Sequence, residues 1–197
     1  LSGQRVGYGR VSTREIKRDG KQIFVTEHSE RLTIKRFGQS LSIETKTRTE
    51  ETADGVLLNY EFVMNNPPAS STKTVGTIDG RKLTIVTTIA GRERTRTIDF
   101  DPSTKSPGYQ DRMFKANPLK PGESRSFRIF LPEYGKPTNV KVSADDMREV
   151  KVHDGSTAKL LKVRTAMTIV PGVEIRSYID REGETLRTEA DLFGLQM

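Results

Sequence analysis

The feature that most constrains the fold is a strict alternation of apolar and polar residues between Arg31 and Asn65. Three segments of this stretch alternate, and breaks separate them at residues 37–39 and 53–55. A period of two puts successive side chains on opposite faces of a strand, with one face on a core and the other in water. The stretch therefore predicts three antiparallel strands joined by hairpin turns.

The rest of the chain repeats this pattern. Further alternating segments are separated by short turn signals such as Asp19-Gly20, Asp79-Gly80 and Ala90-Gly91. We count about twelve strands, several of ten residues or more, where five or six is typical. A Pro- and Gly-rich segment at 101–122 is predicted to be a crossover, and residues 109–116 within it form the one credible helix.

These elements predict an all-β fold in a single domain, residues 1–197. We expect a long-stranded, strongly twisted antiparallel sheet that forms a half-barrel or flattened barrel, with one short helix near 109–116.

Composition excludes several classes of function. The chain has no cysteine, so it has no disulfide, no thiolate metal site and no cysteine nucleophile. No apolar run approaches the 18 residues of a membrane-spanning helix, so no transmembrane segment is predicted. The chain begins at Leu1 rather than Met, and we expect a processed or truncated product.

Basic residues are in mild excess, with a net charge of +7. On a strand, Arg92, Arg94 and Arg96 would share one face and form a basic ladder that could meet phosphates. The competing interpretation is a solvated face that discourages edge pairing. Nucleic acid is not expected as a partner, because the basic residues do not form a clustered stripe with aromatic residues among them.

No constellation of residues predicts a catalytic, cofactor-binding or metal site. The two histidines, His28 and His153, lack ligand spacing. In the acidic pairs Glu50-Glu51 and Asp145-Asp146, adjacent side chains point to opposite faces of a strand, so neither pair is an acid–base couple. We therefore expect no enzymatic activity and no cofactor in this chain.

A packing imbalance gives the leading functional hypothesis. A dozen strands with one apolar face create a wide hydrophobic surface, and one short helix is available to cover it. Leaving that surface wet is costly at roughly 25 cal/mol per Å². Either the sheet closes on itself, or a lipid-like ligand, a loop or a neighbouring domain occupies the apolar face. The residues expected to line this face are Leu58, Tyr60, Phe62, Met64, Leu83, Ile85, Phe127 and Ile129.

Several segments resemble the β-rich N-terminal region of bacterial exported transglutaminase-like proteins. They are GQRVGYGRVSTREIKRDGKQ, RLTIKRFGQSLSIETKTRTEETADGVLL, VGTIDGRKL, NPLKPGESRSFRIFLPE and YIDREGETLRTEADLFG. The pattern of strands and turns is also similar, at the level of the fold, to the half-barrels of bacterial lipoprotein carriers. The family's Cys-His-Asp triad lies in a downstream domain, so the resemblance implies an extracytoplasmic module without catalytic residues of its own.

We therefore expect a non-catalytic accessory or binding module. It would hold a hydrophobic ligand or dock against a downstream catalytic domain of the same precursor. The alternatives are a carboxylate-based enzyme acting on a glycan or peptide polymer, and a polyanion-binding module that uses the basic ladder.

Overall fold

A computed structural model describes residues 7–36, 39–152, 155–192 and 195–196. These residues contain thirteen β-strands and one α-helix, so the predicted all-β antiparallel class with one short helix is confirmed. The chain forms two compact units, Leu1–Gly108 with Phe130–Lys136 and Tyr109–Ile129 with Pro137–Met197. The expectation of a single domain over residues 1–197 stays a prediction.

The first unit contains a seven-stranded antiparallel sheet in which each strand pairs with its neighbours along the chain. Its strands are β1 (Gly7–Arg18), β2 (Lys21–Arg36), β3 (Gln39–Thr52), β4 (Leu57–Asn65), β5 (Thr72–Asp79), β6 (Lys82–Ile89) and β7 (Arg92–Asp99).

Two-residue turns connect several of these strands, as the sequence predicts. Asp19 and Gly20 both have positive φ, 50° and 72°, between β1 and β2, and Ala90 and Gly91 have φ of 50° and 76° between β6 and β7. Positive φ at both central residues is the mark of a type I′ turn, whose twist matches the twist of the flanking strands. The turn chemistry thus fixes the order of strands in the sheet.

The strand registers assign side chains to the two faces of this sheet. Residues directly opposite one another in an antiparallel pair share a face, and Tyr60 is opposite Gly76, which is opposite Ile85. We call the side that carries Tyr60 and Ile85 the core face. On the other side of β1–β4, Arg48 is opposite Glu27 and Glu61, and we call this the charged face.

Segments outside the sheet complete the core of the first unit. Residue Lys105 bridges to Val56, and its carbonyl accepts a 2.9 Å hydrogen bond from the backbone N–H of Phe130. The ring of Phe130 packs on Tyr60 with centroids 5.1 Å apart and on Phe100 at 6.4 Å. The part of the core face around Tyr60 is therefore covered by side chains of this unit.

The second unit contains the helix and most of the second sheet. The elements are α1 (Tyr109–Ala116), β8 (Ser124–Leu131), β9 (Lys136–Lys151), β10 (Thr157–Met167), β11 (Glu174–Ile179), β12 (Thr185–Leu192) and β13 (Leu195–Gln196), and the sheet order is β13-β12-β11-β10-β9-β8.

The helix α1 is held to the second unit at its C-terminal end. Phe114 is buried, and the backbone of Gly183 approaches the Phe114 carbonyl so closely that a Cβ there would overlap it. Gly183 also has a φ of 83°, which other L-residues rarely adopt. The Lys115 ammonium lies 2.6 Å from Glu184. The predicted helix thus forms over residues 109–116, with Phe114 as its anchor.

Candidate functional site

Most of the apolar residues named from the sequence pack into one cluster of the first unit. Tyr60, Phe62, Leu83 and Ile85 are buried there, and Met64 packs against them. Leu57, Phe100 and Phe130 are the other buried members of this cluster. In the described part of this unit the apolar side chains thus contact one another.

Leu58 departs from its expected position. Opposite β3, the register shifts so that Glu50 faces Asn59 while Glu51 faces Leu57. Leu58 is therefore the extra residue of a β-bulge, which breaks the alternation of side chains. Leu57 takes the fully buried core position, and Leu58 is only half-buried. Placing Leu58 on the apolar face was wrong for this reason.

The remaining two apolar candidates lie in the second unit. Ile129 is buried there. Phe127 is half-buried, and its ring meets the edge of the Tyr109 ring at a centroid distance of 6.0 Å. The eight candidates are therefore divided between two units, six in the first and two in the second.

The basic ladder lies on β7, at one edge of the seven-stranded sheet. Arg96, Arg94 and Arg92 are opposite Ile85, Thr87 and Ile89 on β6, which places them on the core face. Arg96 donates a 3.1 Å hydrogen bond to the carbonyl of Gly135. Arg92 and Arg94 are exposed and have no hydrogen bond or ion pair with the described residues. They are available to an anion from solvent.

A second cationic feature is a trough of about 450 Å³ on the charged face of β1–β4. Two rows of side chains border it, and the backbone of β2 and β3 lies between them. The rows are Arg10, Ser29 and Lys46, and Ser12, Glu27, Arg48 and Glu61.

The acidic groups beside the trough already have cationic partners. Arg48 lies 3.7 Å from Glu27 and 2.6 Å from Glu50, and Lys73 lies 2.8 Å from Glu61. These pairs leave the first row of the trough as the side with uncompensated charge.

Arg10 and Lys46 supply that uncompensated charge. Neither side chain has a hydrogen bond or an ion pair with the residues that the structure describes, and both are exposed. They flank Ser29 in one row, two strand spacings apart, which is about 10 Å between their backbones. Both side chains are long enough to reach one anion held above Ser29. The sequence gives no signal for this arrangement, because Arg10 and Lys46 become neighbours only through the registers of β1, β2 and β3.

Glu50 stands at the end of the trough and has the most strongly perturbed carboxyl on this face. Its side chain is 4% exposed and accepts hydrogen bonds from Arg18 at 2.7 Å, Arg48 at 2.6 Å and Asn59 at 2.8 Å. The Arg18 hydrogen bond is the largest cause that lowers the pKa of Glu50 to about 2, against the opposing effect of burial. At neutral pH Glu50 is thus an ionised anchor for Arg18 and Arg48.

Among the described residues, the acidic and histidine side chains do not form a recognisable catalytic centre. Asp145 lies 2.9 Å from Arg164 and 3.3 Å from Lys162, and these partners lower its pKa. Burial raises the pKa of Glu133, and the charge of His28 opposes that effect. His153 lies outside the described residues.

Two searches of the described ranges found no candidate. No group of three His, Cys, Asp or Glu side chains there is placed to hold a metal ion. Over the same residues, no helix is long and apolar enough to cross a bilayer.

Comparisons with known proteins bear on the fold alone. No family model matches the chain, and no curated protein matches it. The chain is similar to the crystal structure of a "beta-barrel-like protein of domain of unknown function DUF1849" from Brucella abortus. That match has a TM-score of 0.59 and 13% identity, and it covers 97% of this chain and 93% of the other. A DUF1089 family protein from Pseudomonas aeruginosa matches with a TM-score of 0.47 and 14% identity over 91% of this chain and 88% of the other.

The DUF1849 neighbour overturns the resemblance to transglutaminase-like proteins. That match is to a β-barrel-like protein of a domain of unknown function rather than to a transglutaminase-like N-terminal domain or a lipoprotein carrier. The quoted motifs consist of alternating strands and Asp-Gly or Pro-Gly turns, which antiparallel sheets of many families share. The extracytoplasmic location rested on that resemblance and stays a prediction. The chain shares the all-β antiparallel fold of that neighbour.

Proposed function

We propose that this protein is a non-catalytic binding module and that its first unit binds an anionic ligand in the trough on the charged face. The observation that carries the proposal is the pair of unpartnered cations, Arg10 and Lys46, on either side of Ser29. The overall charge of +7 supports an anionic ligand, because it raises the concentration of anions near the surface.

The chemistry of the trough favours a carboxylate, phosphate or sulfate group. An arginine guanidinium binds such groups through two parallel N–H donors, and a lysine ammonium adds a point charge. The Ser29 hydroxyl between them can donate a further hydrogen bond. The acidic side chains of the second row are already paired with Arg48 and Lys73, so they repel an incoming anion less than free carboxylates would.

The test compares two variants with the same change of charge at the two cationic sites. Arg10→Gln with Lys46→Gln removes the unpaired cations of the trough, and Arg92→Gln with Arg94→Gln removes those of the ladder. Each protein is loaded on heparin and eluted with salt, and its amide shifts are followed during titration with inorganic phosphate. The proposal expects earlier elution of the trough variant and phosphate-induced shifts at Ser29 and Lys46 in the native protein.

The result that contradicts the proposal is equally specific. Early elution of the ladder variant with unchanged elution of the trough variant would assign anion binding to β7, which is the polyanion hypothesis drawn from the sequence. Elution of all three proteins below about 0.15 M salt would mean that screened surface charge alone explains retention, since the Debye length there is about 8 Å.

The hypothesis of a hydrophobic ligand has less support. Its expected lining in the first unit is packed against Phe100 and Phe130, so a ligand there would have to displace one of these rings. Docking of a neighbouring domain and a carboxylate-based enzyme stay hypotheses.

A further inference from the structure

Strand β1 forms one edge of the seven-stranded sheet and is exposed along its length. It has twelve residues, eleven of them exposed, and it pairs with β2 alone in the described sheet. In an antiparallel pair the backbone N–H and C=O groups of every second residue point away from the neighbour. One side of β1 therefore offers a row of donors and acceptors to a further strand.

The edge lacks two of the devices that usually prevent such pairing. Natural edge strands are short or interrupted by proline or a β-bulge. β1 has no proline, and its register with β2 continues without a shift from Gly7–Leu32 to Arg18–Lys21. The opposite edge strand, β7, has only eight residues.

Strand β1 carries four basic residues and one acidic residue, Glu15, and the charges on its charged face are all arginines. Arg10, Arg14 and Arg18 are on the charged face of the sheet, while Val11 and Thr13 are on the core face. Arg18 is committed to Glu50 at 2.7 Å, whereas Arg14 only approaches Glu27 at 4.0 Å and Arg10 has no partner. The strand therefore presents two available arginines to whatever lies beside it.

We propose that β1 binds an extended, acidic segment of a partner protein, which adds to the sheet as an eighth strand. Acidic side chains at alternate positions of that segment lie on the charged face beside Arg10 and Arg14, and small or β-branched side chains lie on the core-face side beside Val11 and Thr13. Backbone hydrogen bonds supply affinity and the alternate side chains supply specificity, as in other cases of strand addition.

A second copy of this chain fits the edge poorly. When two β1 strands pair in antiparallel fashion centred on Ser12, Arg10 of one copy lies opposite Arg14 of the other. Like charges directly opposite one another destabilise a strand pair. In this register the basic edge discourages self-association, whereas an acidic strand avoids the repulsion.

The test uses a capped ten-residue peptide in which glutamate alternates with threonine and valine. Amide hydrogen exchange of the full chain is measured with and without the peptide at 0.15 M salt. Strand addition predicts slower exchange at every second residue of β1. It also predicts no binding when alternate backbone amides of the peptide are N-methylated.

A charge reversal tests the specificity. Arg14→Glu is expected to weaken binding of the glutamate peptide about fivefold and to permit binding of the matching lysine peptide. Lys141→Glu, on β9 of the second unit, makes the same change of charge and is expected to leave affinity within twofold. Equal binding of the N-methylated peptide, protection without the alternate pattern, no detectable binding, or dimerisation of the free protein through β1 would each overturn the proposal.

These outcomes are separable from those for the trough. Phosphate binding at Ser29 requires no backbone pairing on β1, and strand addition requires no change in the amide shifts of Lys46.

Discussion

Replacement of Glu50 by glutamine tests how much the buried carboxylate of β3 contributes to the stability of the first unit. The substitution keeps the shape of the side chain but removes the charge that Arg18, Arg48 and Asn59 surround. The two arginines are 49% and 41% exposed, so they regain water when their partner is neutral. The cost of the substitution therefore comes mainly from the lost carboxylate.

The magnitude follows from the pKa of Glu50, which falls from 4.5 to about 2 on folding. A folded pKa below the unfolded one stabilises the protein above the unfolded pKa, and this contribution disappears as the pH falls through the folded pKa. At pH 7 the contribution is up to about 3 kcal/mol, and at pH 3 about 1.5 kcal/mol of it remains. The native protein and the Glu50→Gln variant should thus converge in stability between pH 5 and pH 2.

The assay is urea unfolding at pH 7, 5 and 3, with Glu44→Gln as the matched control. Glu44 lies on the same strand and 3.5 Å from Arg31, but its side chain is 41% exposed. An exposed pair of this kind contributes about 0–1 kcal/mol, so the control should change little at any pH. Equal losses in the two variants, or a Glu50→Gln loss that is the same at pH 7 and pH 3, would refute the reasoning.

Three further predictions concern the core of the first unit. Leu57→Ala should cost about 2–5 kcal/mol in urea unfolding, whereas Leu58→Ala at the bulge should cost no more than about 1 kcal/mol; equal losses would contradict the assigned register. Gly76→Ala should destabilise by about 1–3 kcal/mol, because a Cβ at this position overlaps the ring of Tyr60; a neutral result would mean that the ring does not lie there. The Tyr60 hydroxyl is buried without a hydrogen-bond partner in the described structure, and burial raises its pKa to about 12. Tyr60→Phe should therefore leave stability unchanged or raise it by up to about 1 kcal/mol, and the ultraviolet titration should lose its step near pH 12.

The period of two and the turn residues predicted most of the fold. Asp19-Gly20 and the glycine of Ala90-Gly91 favour positive φ by their chemistry, so the hairpins between β1 and β2 and between β6 and β7 could be placed without coordinates. The helix at 109–116 was also predictable, because prolines and glycines isolate it from the strands around it.

Prediction from the sequence failed where the strand register decides which side chains enter the core and which become neighbours. The bulge opposite Glu50 places Leu57 rather than Leu58 in the core, and alternation alone gives no sign of an extra residue. The trough is a similar case, because Arg10 and Lys46 lie on strands separated by a third. Side chains on such a face look merely solvated until the strands are aligned.

The position of Phe130 in the chain has a consequence for synthesis and for truncation of this protein. Its ring fills the space over Tyr60 and Phe100, yet the chain supplies it only after passing through helix α1 and most of β8. During synthesis, the apolar surface around Tyr60 and Phe100 stays exposed until residue 130 has left the ribosome. A fragment that ends at residue 108 would leave this apolar surface exposed and should aggregate. A fragment that extends past residue 136 includes Phe130, which can cover the surface.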